Sequence, residues 1–189
     1  MSTALGIDLS TTTTGLVILK SNGTKVPGLV LEKQVAFKKL KGLENVQAIV
    51  TDIMTTIHEH KPDAISIEAF SLNMRNASSV IPLVGAGSIL RFMMYLDGLA
   101  WYAPSAGELK SFVTGKGNDP KDMVNAWVLK KWGHMAKDNN TADAYGLACM
   151  ALATRGELPG ITGNMKALAT KQMLFTDMLH KPKEKKPRV

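Results

Sequence analysis

Cysteine is nearly absent from the chain, which has a single residue of this type, Cys149, among 189. One thiol excludes a disulfide framework within the chain, and no cluster of cysteines and histidines has the spacing of a structural zinc site. Long apolar runs are also lacking, so no transmembrane helix is predicted. The first residues lack the basic segment and long apolar core of a secretory signal. We therefore expect a reducing compartment and no membrane partner.

Acidic residues are fewer than basic ones, with 16 Asp and Glu against 23 Lys and Arg and a formal net charge of +7. Such a chain attracts polyanions, chiefly nucleic acid or an anionic membrane surface. Charge alone favours a nucleic-acid partner only modestly, because many basic proteins bind none. Part of the excess lies in a tail at residues 181–188, and the rest is spread over Lys38, Lys39, Lys41, Lys110, Lys116, Lys121, Lys130 and Lys131.

Hydrophobic patterns predict three strands at the start, at residues 4–9, 15–20 and 28–37, joined as an antiparallel meander. Helical periodicity then covers residues 42–60, and a β-branched strand follows at 64–70. A right-handed crossover through the helix would place this strand parallel to an earlier one. Further helices are predicted at residues 77–96, 105–113, 120–132 and 141–154, with a last short strand at 100–103.

Two of these helices begin with specific signals. Ser105 and Glu108 have the spacing of a capping box, and Pro120 suits the first turn of a helix because it has no backbone N–H to satisfy. A Gly-rich loop at residues 114–119 separates the two helices.

This order of elements predicts an α/β (or α+β) fold in which helices flank a central mixed sheet of five strands. The length suits one main domain, to which we assign residues 1–158. Residues 159–189 are assigned to a C-terminal extension. The extension would hold one helix, at 165–179, followed by the basic tail, whose composition is typical of disorder.

Three acidic residues lie where a strand or helix face should be apolar. Alternation puts Asp8 on the strand face opposite Ile7, and Glu68 on the face opposite Ile67. Asp143 lies at the start of an Ala-rich helix. Carboxylates in such positions are costly unless they are paired, hydrogen-bonded or metal-bound, and hard oxygen ligands are those that Mg²⁺ and Mn²⁺ prefer. The combination predicts a metal site for phosphodiester chemistry.

Two further residues lie near the third acid. Asn140 precedes Asp143 by three residues and would share its helix face, and Asp138 lies in the loop before it. Taken singly, each acid has an ordinary explanation, because Asp residues after strands and in first helical turns usually serve as caps. The metal interpretation depends on the combination.

Four segments resemble the motifs of RuvC-type Holliday junction resolvases, in the order and with the spacing of that family. Residues 6–15 (GIDLSTTTTG) resemble its opening strand–turn–strand, and residues 65–68 (ISIE) its second acidic strand. Residues 113–124 (VTGKGNDPKDMV) are similar to its Gly-rich loop and following helix, and residues 138–145 (DNNTADAY) to its final acidic helix. Together the four segments lie within residues 4–154.

The resemblance implies an RNase H-like fold, a homodimer, and paired cleavage of a four-way DNA junction with Mg²⁺ or Mn²⁺. It implies that Asp8, Glu68 and Asp143 are catalytic metal ligands, with Asn140 or Asp138 completing the site. The expected location is the cytoplasm of a bacterial or phage-infected cell.

The same resemblance implies the DNA contacts. Lys121 would act near the scissile phosphate, with help from Lys116, because a glycine loop lets backbone N–H groups approach phosphate closely. Phe70, two residues after Glu68, has two interpretations. Its ring either packs at the rim of the core or stacks on a base of an opened junction.

The chain departs from the family pattern in two places. Asn140 stands where many members carry Asp or His, and an amide oxygen can bind Mg²⁺ but brings no charge. Leu9-Ser10 replaces the Pro-Gly that is common in bacterial members. Such differences are typical of a divergent member, for example a phage-encoded one, and they leave open which branched DNA structures are cut.

Three other functions share parts of this pattern. The Ser/Thr-rich turn also resembles the phosphate-binding hairpin of actin-like ATPases, but 189 residues are too few for their two related domains. A non-catalytic junction-binding protein would gain nothing from clustered negative charge near phosphate. Another RNase H-like nuclease, acting on flaps or RNA–DNA hybrids, stays open as an alternative.

Overall fold

The structure is a computed structural model that describes residues 1–37, 41–70, 77–120, 122–172 and 174–175, with residues 77–80 described by their backbone alone. Lys121, named above as a DNA contact, and the basic tail at residues 181–188 lie outside the described residues. The elements in chain order are β1 (Thr3–Asp8), β2 (Thr14–Lys20), β3 (Gly28–Val35), α1 (Gly42–His60), β4 (Ala64–Ile67), α2 (Ala77–Leu96), α3 (Ala106–Thr114), α4 (Met123–Trp132), α5 (Asn139–Thr154) and α6 (Gly163–Thr170).

The sheet has the strand order β3-β2-β1-β4, in which β1 is antiparallel to β2 and parallel to β4. The crossover through α1 therefore returns the chain parallel to an earlier strand, as predicted, and that strand is β1. The prediction of a fifth strand at residues 100–103 is wrong for the described residues, where Tyr102 forms only a single parallel bridge with Ser66. The neighbouring carbonyl of Trp101 accepts a hydrogen bond from Phe175 N at 3.0 Å, so this segment pairs with the C-terminal part of the chain instead.

One face of the sheet is covered by α1 and α2. In α1 the buried residues recur at helical spacing, with Val46, Ile49, Ile53 and Ile57 on the face that meets the sheet. The helix ends where Lys61 adopts a left-handed backbone conformation, just before Pro62. This half of the core includes Leu5 and Ile7 of β1.

The other face of the sheet is covered by α5, and α3, α4 and α6 pack around that helix. Residues 141–153 of α5 are all buried. Small residues allow its close approach, since a Cβ at Gly6 of β1 would lie 1.9 Å from Ala144 O. A central helix therefore runs directly across the first strand.

The end of the described chain packs onto this second half of the core. Met165 and Ala169 of α6 are buried in the same cluster as the residues of α5, together with Leu158. A helix was predicted at residues 165–179, and the structure has one at Gly163–Thr170. Residues 173 and 176–179 of the predicted range lie outside the described residues. No helix in the described part of the chain is both long and apolar enough to cross a bilayer.

Two predictions about helix starts have different outcomes. The capping box before α3 is confirmed, because Ser105 and Glu108 each bond the other's backbone N–H. The prediction that Pro120 begins the next helix is wrong. Met123 N donates to Pro120 O at 3.1 Å in a turn, and α4 begins only after Asp122.

Candidate active site

Two of the predicted acids leave the sheet side by side. Asp8 is the last residue of β1, and Glu68 directly follows β4, the parallel neighbour of β1. The strands are in register with Ile7 opposite Ile67, and Glu68 N donates to Ile7 O at 3.4 Å. Since the carboxyl ends of parallel strands meet at one edge of a sheet, both carboxylates project from the same place.

The third acid comes from α5. Asp143 is 8% exposed and lies one residue before Ala144, whose carbonyl marks the closest approach of the helix to Gly6. Strand alternation places Gly6 and Asp8 on the same face of β1, which is the face that α5 covers. The glycine thus brings the first turns of the helix, and with them Asp143, down to the end of β1.

These three carboxylates line one cavity of about 200 Å³, although they come from distant parts of the chain. The remaining lining residues, Ala106, Leu109 and Lys110, belong to α3. Asp8, Glu68 and Asp143 were all predicted as site residues, and the structure brings them together.

Lys110 is the functional candidate that sequence reasoning did not single out. Among the described residues that line the cavity it is the one base, facing three acids. A lysine on an amphipathic helix carries no local marker of function. Its spacing could have identified it, because Ala106 and Lys110 are four residues apart and therefore share one face of α3, which is the face that lines the cavity.

The other two residues predicted near Asp143 do not line the cavity. The side chain of Asp138 caps α5, accepting a hydrogen bond from Thr141 N at 2.8 Å and one from Gln34 Nε2 at 2.6 Å. Asn140 donates its Nδ2 to the carbonyl oxygen of Thr13 at 2.7 Å. Both side chains therefore hold the first turn of α5 against β3 and the β1–β2 turn.

The Gly-rich loop follows α3 and folds back along it. Gly115 ends the helix with a φ of 95°, and Thr114 Oγ1 donates to Lys116 O at 3.0 Å. A Cβ at Gly117 would lie 2.9 Å from Ser111 Oγ and 3.1 Å from Gly107 O. Positions 107 and 111 share one helix face, so the loop packs along that face of α3. Lys116 itself is exposed.

Phe70 lies at the rim of the site, where it is 38% exposed. It lines a second, smaller cavity of about 60 Å³ that also includes Asp8, Glu68 and Arg91. The guanidinium carbon of Arg91 lies 4.1 Å from the centre of the Phe70 ring. The ring is thus packed on one side and accessible to solvent on another.

The chemistry of the cavity suits a divalent cation. Its acidic ligands are hard carboxylate oxygens from three elements, and its volume exceeds the roughly 30 Å³ that one water occupies in the liquid. Within the described residues, no three His, Cys, Asp or Glu side chains are grouped closely enough to hold a metal as they stand.

The fold defines the class of protein first. The chain is similar to the RuvC of T. thermophilus, solved in complex with a Holliday junction substrate, with a TM-score of 0.66 and 22% identity. The match covers 83% of this chain and 98% of that one. At this identity the likeness shows the fold, so the prediction of the RNase H-like resolvase fold is confirmed, with four strands in place of the five predicted.

The family follows from the sequence comparisons. The family model described as crossover junction endodeoxyribonuclease RuvC matches residues 4–152. The RuvC of Vibrio atlanticus is 31% identical over 170 residues, which are 86% of this chain and 94% of that protein. The RuvC of Parvibaculum lavamentivorans is 29% identical over 147 residues, 77% of this chain and 83% of its own length. The chain belongs to the RuvC family of crossover junction endodeoxyribonucleases.

Family membership confirms the predicted resemblance and decides against the actin-like ATPase. Members of this family depend on a divalent metal. The acidic cavity is where the described residues offer ligands for one.

Proposed function

We propose that this chain is a structure-selective endonuclease that resolves four-way DNA junctions by paired hydrolysis of phosphodiester bonds. The observation that carries the proposal is the convergence of Asp8, Glu68 and Asp143 on one cavity in a chain of the RuvC family. Other branched DNA structures belong to the proposed substrate range, because the chain departs from the family pattern at Leu9-Ser10 and at Asn140.

Asp8, Glu68 and Asp143 would hold the divalent metal, which we propose to be Mg²⁺, with Mn²⁺ as a substitute. When bound, the metal supplies Lewis-acid charge at the phosphate and lowers the pKa of an attacking water. Asp143 is the most buried of the three and is held on a fully packed helix, so its carboxylate is the best fixed. Asp8 and Glu68 project from adjacent strand ends and can adjust to the ion.

The basic residues would hold the DNA backbone over this cavity. Lys110 lines the cavity and would neutralise charge on the phosphate, since a partly buried ammonium interacts more strongly than one in bulk water. Lys121, just beyond the Gly-rich loop, would contact the DNA near the scissile phosphate, with help from Lys116 in the loop. The predicted tail at 181–188 would add sequence-independent contacts whose strength falls with salt.

Paired cleavage needs two active sites, and we propose a homodimer. Most of the exposed large hydrophobic residues of α2 lie along one stripe of the helix, Ile81, Ile89, Phe92 and Leu96, with Met93 and Tyr95 on either side of it. A stripe of this kind on a helix that already packs on α1 with its other face suits a second copy of the chain.

Two remaining assignments are part of the proposal. Residues 1–158 would form the catalytic unit and residues 159–189 an extension, whose α6 packs on α3 and α5. We place the protein in the cytoplasm, where the single buried cysteine stays reduced.

The test is cleavage of a synthetic four-way junction beside a linear duplex of matched sequence, with Mg²⁺, Mn²⁺ or EDTA. Wild type should make paired, metal-dependent nicks in opposed strands of the junction and leave the duplex uncut. Asp8→Asn and Glu68→Gln should lose about 100-fold or more in cleavage rate while still binding the junction. Glu59→Gln is the matched control, because Glu59 is exposed in the last turn of α1.

Two results would contradict the proposal. Tight junction binding by wild type with no cleavage in either metal would favour a binding protein. Preferred cleavage of a flap or an RNA–DNA hybrid, run in parallel, would favour the alternative RNase H-like nuclease.

A further inference from the structure

Arg91 of α2 links three parts of the molecule beside the acidic cavity. Its Nη2 donates to the backbone carbonyl oxygen of Glu68 at 2.8 Å, and its Nη1 donates to Gly87 O at 3.1 Å. Its guanidinium lies over the Phe70 ring, with the central carbon 4.1 Å from the ring centroid. One side chain therefore contacts the end of β4, the helix that carries it and the aromatic residue at the rim.

The helix is shaped for this contact. Gly87, one turn before Arg91, is buried against the Phe70 ring, and a Cβ there would lie 2.5 Å from Phe70 Cε1 and 2.9 Å from Arg91 Nη1. Any residue larger than glycine would displace the ring, the guanidinium or both. The absence of a side chain at Gly87 thus leaves the space that the side chains of Phe70 and Arg91 occupy.

An arginine suits this position for physical reasons. The side chain is partly buried, and both of its hydrogen bonds go to backbone carbonyl oxygens. A planar guanidinium can donate to two carbonyls and stack on an aromatic ring at the same time. A lysine keeps the charge but offers a single nitrogen, which cannot make all three contacts.

We propose that Arg91, anchored on the backbone carbonyl oxygen of Glu68, is a positioning residue that holds the Phe70 ring beside the acidic cavity, so that this ring can stack on a base unpaired at the centre of the junction. The inference depends on the proposed junction substrate. Because Phe70 remains 38% exposed with Arg91 over its ring, the uncovered part of the ring is available to a base. A base stacking on it would join an Arg–Phe–base stack built against the active-site strand.

The test combines Arg91→Lys, Phe70→Leu and the double variant, each characterised by thermal unfolding first. Two quantities are measured: the single-turnover cleavage rate with Mg²⁺, and the fluorescence of 2-aminopurine at the crossover when saturating protein binds in EDTA. Arg91→Lys should slow cleavage by about 10- to 100-fold, since small displacements of a positioned group cost rates of that order. It should also reduce the 2-aminopurine signal toward that of Phe70→Leu.

The double variant separates positioning from direct contact with DNA. If Arg91 acts through Phe70, adding Arg91→Lys to Phe70→Leu should change the rate by less than about twofold, because residues in one unit are not additive. Multiplied effects of the two substitutions, or an Arg91→Lys variant with the rate and fluorescence of wild type, would overturn the proposal.

A substitution at Gly87 of α2 tests the Phe70–Arg91 contact without changing either of those residues. Gly87→Ala should reproduce the loss of cleavage and of fluorescence, and Gly163→Ala, whose new methyl group meets nothing within 4 Å, serves as its control. Retention of both wild-type readouts by Gly87→Ala would count against the proposal. Failure of wild type to cleave would contradict the proposed function instead, and the EDTA fluorescence would still decide the role of Arg91.

Discussion

The side chain of Asn140 donates its Nδ2 to the backbone carbonyl oxygen of Thr13 at 2.7 Å, joining the first turn of α5 to the β1–β2 turn. Because a carbonyl can only accept a hydrogen bond, the amide must present its nitrogen there. Gly15 packs against the same turn of the helix, where a Cβ would lie 2.3 Å from Asn140 O. The β1–β2 turn that follows Asp8 is thus held by the helix that carries Asp143.

We expect Asn140→Asp to lose stability without gaining activity. A carboxylate cannot donate to Thr13 O, so the partly buried carbonyl loses its partner and the free energy of unfolding should fall by about 1–3 kcal/mol. Urea unfolding monitored by circular dichroism measures this change. A variant as stable as wild type that cleaves faster at low Mg²⁺ would show that position 140 is a metal ligand, not a tether.

A second prediction concerns Lys110, the base that lines the acidic cavity. Lys110→Met keeps most of the length of the side chain but removes the charge, so single-turnover cleavage should fall by about 100-fold with junction affinity little changed. Lys110→Arg should recover part of the rate. Lys20→Met is the control, because Lys20 is exposed and far from the cavity. It pairs with Thr3 at one end of β2, whereas Asp8 pairs with Gly15 at the other end. Equal effects of the two Met variants would mean that Lys110 acts only through general charge.

The fold could be predicted where a residue pattern reports local geometry directly. The bounds predicted for α1, residues 42–60, are those found, because a helix that covers one face of a sheet must bury residues at its own period. Strand alternation likewise placed Asp8 opposite Ile7 and Glu68 opposite Ile67. The crossover rule made the second of these strands parallel to an earlier one, which the structure shows to be β1. These rules depend on residues close in sequence.

The features that could not be predicted depend on contacts between residues that are distant in sequence. The segment at 100–103 has a strand-like composition, but Trp101 bonds Phe175 and stacks on its ring at 5.6 Å, so it joins the sheet at one residue. Helical spacing put Asn140 on the same face as Asp143. In the structure its side chain bonds the backbone of Thr13 in the β1–β2 turn and does not line the acidic cavity. Nothing local to Arg91 indicated its contacts with Glu68 and Phe70.

A third prediction tests the close packing of α5 on the sheet. Gly6→Ala would put a methyl group 1.9 Å from Ala144 O and 2.6 Å from Ala148 N, and backbone of a buried helix cannot move aside locally. The free energy of unfolding should fall by about 3 kcal/mol. Gly107→Ala, in α3 with nothing within 4 Å of the new methyl, should be neutral or raise it by about 0.4–1 kcal/mol. Similar urea midpoints for both variants would contradict this packing.

A fourth prediction concerns the reactivity of Cys149. Burial raises the pKa of this thiol well above its ordinary value of 9.0, and the side chain is fully buried in α5. The folded protein should therefore resist alkylation by iodoacetamide at about pH 8, since the thiolate is the reactive form. The urea-unfolded protein should react at the rate of a model thiol, as followed by mass spectrometry. Rapid modification of the folded chain would show that α5 opens readily.

The last prediction concerns the exposed stripe of α2, where Phe92 is 58% and Leu96 60% exposed. If this stripe is the contact between two copies, Phe92→Glu should convert the dimer to a monomer in analytical ultracentrifugation, because a charge would be buried without a partner. Met135→Glu is the matched control, since Met135 is 73% exposed and lies between α4 and α5. A Phe92→Glu dimer as stable as wild type would place the interface elsewhere. The monomer should also nick a junction in one strand per binding event, because paired cuts need two sites held together.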